Sequence, residues 1–182
     1  MPIAGLHELP IPIQSVDKVY DATETNVRSW IWDIALKEGN PVITYARYPS
    51  EADHIYHYAY WQNNQWVDQE IVNSGSWMVS LRQHDRVREA HYSGGIVLDH
   101  QNPDHIYLSR DVNGKFEIEH RALLHDGAWT SSFVTQFSAV NNVRPYVIEH
   151  APADRAYLLW MQGVYRHYTE YDMGIKMVEL QY

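Results

Sequence analysis

Cysteine is absent from the 182-residue chain, which rules out disulfides and thiolate-ligated metal sites. Phenylalanine is scarce, 3 residues against 14 tyrosines and 7 tryptophans. No Lys/Arg-rich run occurs, and 14 basic residues face 23 acidic ones for a formal net charge of -9. That balance argues against non-specific nucleic-acid binding. No stretch is long and apolar enough to cross a bilayer. The N-terminal MPIAGLHELPIPIQ lacks the charged start and apolar core of a signal peptide.

The chain does have apolar residues at 45% and charged residues at 20%, the balance of one folded domain with a sizeable core. Its aromatic residues are mostly those with polar handles, which suit half-wet strands and sugar-binding clefts. Residues 1–26 are punctuated by proline. Ile11, Ile13, Val16 and Val19 predict an extended strand and linker there. From residue 27 onward, period-two alternation dominates. VITYARY (42–48), HIYHYAYW (54–61) and QWVDQEIV (65–72) read as strands, and Asn63-Asn64 as a two-residue hairpin turn. Residues 76–90 lack clean alternation and read as a loop or short helix.

Three segments resemble one another: WIWDIALKEGNPVITYAR (30–47), YSGGIVLDHQNPDHIYLSR (92–110) and VRPYVIEHAPADRAYLLWM (143–161). Each is an apolar strand, a proline-containing turn and a second alternating strand. Further strands follow: 116–123 and 129–137 in the second unit, 165–171 and 175–180 in the third. A recurring four-stranded antiparallel unit is the pattern of a β-propeller blade. The expected fold is therefore all-β, a partial propeller of about three four-stranded blades spanning roughly 27–75, 90–138 and 142–182. A β-sandwich or a flat meander is the competing architecture.

SRDVNGKF (109–116) resembles the Asp-box of BNR-repeat propellers, with glycine one place late and Phe for Trp. The longer run 92–110, with NVRPYVIEH and LLWMQGVYRHYTEYD, resembles the C-terminal half of the BNR-repeat family that includes the propeller ulvan lyases. The resemblance implies a carbohydrate-active propeller that cleaves uronic-acid-containing polysaccharide by β-elimination. It also implies a secreted or periplasmic protein without cofactor. On this reading, missing N-terminal blades or self-association complete the ring, and an anionic polysaccharide is the partner. The alternative is a non-catalytic propeller fragment that binds glycan or assembles with protein.

A uronate lyase must neutralise a carboxylate, remove the C5 proton and protonate the leaving oxygen. Arg suits the first step, and Tyr or His the other two. The resemblance gives Tyr92 and Arg110 as catalytic candidates. His91 joins them on residue type, and Arg144, Trp30 and Tyr168 are candidates for substrate binding. The turn at Asn102-Pro103-Asp104 is expected to set Tyr92 opposite Arg110. Each residue also has a packing role open to it, with Arg110 pairing to Asp111 or Asp126. Gly94 and Gly95 are expected to permit close strand approach. His54 and His57 should point to opposite faces of their strand. His91, His100 and His105 are near in sequence, but no metal site is assigned.

Overall fold

The computed structural model describes residues 5–76, 94–152, 154–167 and 169–182. It is an all-β fold of three antiparallel sheets. The first contains β1 (Arg28–Lys37), β2 (Asn40–Ser50), β3 (Asp53–Gln62) and β4 (Gln65–Asn73), in that spatial order. The second contains β5 (Ile96–Leu98), β6 (His105–Val112), β7 (Lys115–Leu123) and β8 (Trp129–Phe133), again in chain order. The third has three strands, β9 (Asn141–Val147), β10 (Arg155–His167) and β11 (Glu170–Gln181), with β10 in the middle.

Short hairpins explain the chain-order topology. Asn63 and Asn64 both have positive φ, 52° and 61°, as a two-residue turn matched to strand twist requires. Asn113 and Gly114 do the same between β6 and β7, and Asp111 Oδ1 accepts the Gly114 N–H at 2.6 Å. In the third sheet the expected break near residue 165 does not occur. Gly163 adopts φ 151°, and a Cβ there would lie 2.1 Å from the Asp172 carbonyl oxygen. With no side chain at that point β10 runs for 13 residues to His167, and β11 begins at Glu170. The third sheet thus has three strands where four were expected. Residues 5–26 form single 3-10 turns at Leu6–Glu8 and Ile13–Ser15 and one helical turn, Ala22–Thr25. Pro10 and Pro12, which cannot donate to a ladder, stand in the segment where a strand was expected.

The sheets stack in one direction. Val42, Ala46, Tyr56 and Tyr58 of the first sheet pack on Ile96, Leu98, Ile106 and Leu108 of the second. Tyr107 and Ile118, on the other side of the second sheet, pack on Val147, Ala156, Leu158 and Trp160 of the third. Each fully buried aliphatic side chain in these layers contributes about 1.5–3 kcal/mol. The front of the first sheet carries Ile43, Tyr45 and Ala59, against which Val19 and Tyr20 pack. As expected from strand alternation, His54 and His57 part company. His54 sits against Tyr48 and Tyr56, while His57 sits beside Asp68 and Tyr45.

A buried polar hub joins the second and third sheets. Asn142 is fully buried. Its Oδ1 accepts from Trp160 Nε1 and Gln162 Nε2, both at 2.9 Å. Its Nδ2 donates to Glu117 Oε2 at 3.1 Å, Ser138 Oγ at 2.9 Å and the Phe116 carbonyl at 3.3 Å. Glu117, also buried, accepts from Thr135 Oγ1 at 2.6 Å and from the Ser138 N–H at 2.7 Å.

Candidate functional site

The first strands of the three sheets, β1, β5 and β9, lie side by side, and a cleft opens between them. Two β-bulges shape it. In the β1–β2 ladder Ile31 pairs with Tyr45 and Asp33 with Thr44, so Trp32 is the extra residue. In the β9–β10 ladder Tyr146 pairs with Leu159 but Val143 with Met161, so the extra residue falls at Arg144-Pro145. Arg144 takes φ 55° there. Bulges break the ladder locally and re-aim side chains, and a non-glycine residue at positive φ is held there at a cost.

Between the bulges runs Gly94-Gly95. The Gly94 carbonyl accepts the Arg144 N–H at 2.7 Å, and the Gly95 N–H donates to Tyr56 Oη at 2.7 Å. A Cβ on Gly94 would meet Tyr56 Oη at 2.7 Å. One on Gly95, at φ 105°, would meet Trp32 at 3.4 Å and Pro145 at 3.6 Å. Close strand approach is therefore what these glycines provide, as the sequence led us to expect.

The cleft holds about 390 Å³ and is lined by Trp32, Asp33, His100, Arg144, Tyr146 and Glu149 among others, a size common for small-ligand clefts. A smaller recess of about 160 Å³ adjoins it at Trp30, Trp32, Tyr48 and Arg144. Arg144 is exposed, and its guanidinium lies 6.0 Å from the Tyr165 ring centroid. Among the described residues no carboxylate forms an ion pair with it. At the other end His100 Nε2 lies 3.0 Å from Asp33 Oδ1, while Nδ1 is 3.9 Å from Glu149 Oε1, beyond hydrogen-bond distance. Asp33 is fixed in turn by the N–H groups of Ile34 and Leu98, at 2.8 and 3.0 Å. With Asp33 accepting the Nε2 proton, Nδ1 keeps the imidazole lone pair.

Of the residues singled out from sequence, Trp30 and Arg144 line the same recess. His91, Tyr92 and Tyr168 lie outside the described residues. Arg110 lies elsewhere. Its Nε donates to Glu119, a carboxylate only 1% exposed that also takes Arg121 Nε at 2.7 Å. Its guanidinium stands 5.0 Å from the Phe133 centroid. The partner is thus Glu119, where Asp111 or Asp126 had been considered. The β5–β6 ladder runs from Leu98 with Ile106 to Ile96 with Leu108, and the Ser109 N–H then donates to the Gly95 carbonyl at 2.9 Å. In the sequence His100 stands out only as one of several neighbouring histidines. Its partner Asp33 is 67 residues away, and no local pattern marks the pair.

A larger depression, about 530 Å³, lies at the hairpin ends Lys37–Val42 and Tyr60–Asn64. Its one cation, Lys37, is engaged by Asp104 at 2.6 Å. No group of three or more metal-ligating His, Asp or Glu residues occurs among the described residues, and no helix among them is long and apolar enough to cross a membrane.

A second histidine pair lies on the second sheet. His105 Nδ1 and His120 Nε2 are 2.9 Å apart, facing Asp99, Asp104, Tyr107, Tyr182 and Ser132. Burial lowers both imidazoles, and His105 lowers His120 further, to about 4. Both pKa values lie below the unfolded value, so the unfolded chain binds more protons as pH falls below about 6.5. Stability from the neutral pair is complete above that pH and is lost as pH falls toward 4. Discounting for solvent at these half-buried rings, we expect a loss of about 1–2 kcal/mol between pH 7 and pH 5. Urea midpoints at the two pH values measure it, and His120→Gln should flatten the difference.

Comparison with known proteins returns no match to a family model, a curated protein or a solved structure.

Proposed function

We propose that the chain recognises a uronic-acid-containing polysaccharide in the cleft between β1, β5 and β9, and that the reaction is β-elimination. The observation that carries this reading is an arginine with no ion-pair partner among the described residues, set among aromatic walls in the same cleft as an imidazole backed by a carboxylate. Arg144 supplies a permanent charge whose planar fork fits a sugar carboxylate. Trp30 and Trp32 offer flat apolar faces to a sugar ring. His100 Nδ1 takes the C5 proton, and Asp33 steadies the imidazolium that forms. The C5–H electrons become the C4–C5 double bond as the C4–O bond breaks, and the Tyr146 hydroxyl protonates the departing oxygen. Arg110 plays no part in this scheme, because Glu119 already holds it. The three sheets are read as propeller blades with β1, β5 and β9 innermost, and the cleft then lies at the channel end where propeller ligands bind.

The second reading is glycan binding without chemistry. It is favoured by the exposure of Arg144 and Trp30, which leaves the cationic end of the cleft wet. One experiment separates the two. Incubation with a panel of uronic-acid polysaccharides should produce a rise in ultraviolet absorbance from the unsaturated product. Binding with no rise would remove the elimination step and leave recognition. Neither binding nor a rise across the panel would remove both.

A further inference from the structure

The directional stacking leaves one face of the third sheet open. Tyr146, Leu159 and Met177 stand opposite one another across its three strands, and Met161 stands opposite Ile175. Opposite residues share a face, so these side chains form one apolar surface on the side away from the second sheet. Tyr146 is 59% exposed, Ile175 77% and Met177 62%. On the corresponding side of the second sheet Tyr107 and Ile118 are wholly buried, because the third sheet covers them. The third sheet thus repeats a packing surface that is used elsewhere in the same chain, here without a cover among the described residues.

What covers such a surface within the chain is always the front of the next sheet. The front of the first sheet is occupied by Val19 and Tyr20 over Ile43, Tyr45 and Ala59. On β1, however, Ile34 pairs with Ile43 and shares its face, as does Leu36, two residues on. These two are 55% and 65% exposed. Lys176, Asp172 and Glu170 line β11, the free edge strand, and charges on an edge resist strand addition. The open surface is therefore suited to contact by its face.

We infer that the back of the third sheet docks the β1 flank of a second copy of this chain. Front-to-back contacts are heterologous and must close or propagate. Two copies, each using both flanks, close a ring of six sheets, within the range of about 4 to 8 blades that propellers form. Each copy carries a formal charge of -9, so added salt should strengthen the pairing by screening repulsion. The closure into a ring rests on the propeller reading proposed above, and Tyr146 stands at the border of the cleft and this face, so the variants that test the docking are placed at Ile34, Ile175 and Met177.

Sedimentation equilibrium over the micromolar range tests it. The chain should run at twice its 21.3 kDa mass, more so at higher salt. Ile175→Lys combined with Met177→Lys should give a monomer with an unchanged circular-dichroism spectrum, as should Ile34→Glu alone. Ile175→Ser is the milder variant if the double one unfolds. Lys115→Glu, at the β6–β7 turn, should leave the dimer intact. A wild-type monomer at the highest soluble concentration would overturn the inference. So would dimers that survive all three flank variants, or masses that climb without limit.

Discussion

Replacing Asn142 with alanine is expected to cost about 3–5 kcal/mol of folding stability, the largest effect of any single polar substitution considered for this chain. In a fully buried setting the side-chain oxygen takes two bonds, and the two N–H groups serve three acceptors, one hydrogen being shared. Removing it strands the indole N–H of Trp160 without an acceptor. It also takes away a donor to buried Glu117. A buried group left unpaired costs more than the lost bond contributed, because its desolvation is no longer offset. Asn142→Asp should be no better, since the added carboxylate would face Glu117. Urea unfolding should show a lowered midpoint with an unchanged slope. Because the hub ties β7 to β9, the loss should appear as separation of the second and third sheets, with hydrogen exchange fastest in β9 and β10.

Arg144→Gly is expected to have opposite effects on stability and on binding. Arg144 holds φ 55° inside a bulge, where a Cβ is unfavourable and glycine is at ease. Its side chain is exposed and forms no ion pair among the described residues, so the fold loses little with it. The variant should be as stable as the parent or more stable by up to about 1 kcal/mol. Affinity for a uronate oligosaccharide should fall about 10- to 100-fold, the worth of a charge-assisted hydrogen-bonded pair. Arg144→Lys keeps the charge but not the fork and should fall between. If Arg144→Gly instead destabilises the protein and leaves affinity unchanged, Arg144 is a structural residue.

The sheets could be read from the sequence because their signals are local. Asn63-Asn64 sits at the one kind of turn that needs two positive φ values. The alternation over 42–48, 54–61 and 105–110 has the period of half-buried strands. Gly163 was harder to read, since a glycine in a strand pattern is compatible with either a break or a close approach. It permits approach to the Asp172 carbonyl, and the strand continues. The prolines at 10 and 12 outweighed the Ile11 and Ile13 alternation around them.

The site was partly legible. Arg144 and Trp30 were singled out by residue type and by their places at the start of aligned strands, and the structure puts both in one recess. Trp32 was missed as a site residue because a bulge is a mismatch between two strands, and one strand alone does not display it. Asp33 and His100 are joined by packing of the first sheet on the second. For Arg110 the neighbours Asp111 and Asp126 were the carboxylates weighed, whereas its partner Glu119 lies on the next strand and is buried.

Tryptophan fluorescence during titration with a uronate oligosaccharide reports on carboxylate recognition in the cleft, because Trp30 and Trp32 line the recess beside Arg144. A saturable change is expected with the oligosaccharide, and little or none with the same oligosaccharide after its carboxylates are reduced to alcohols. Equal responses to both, or no response to either, would contradict it.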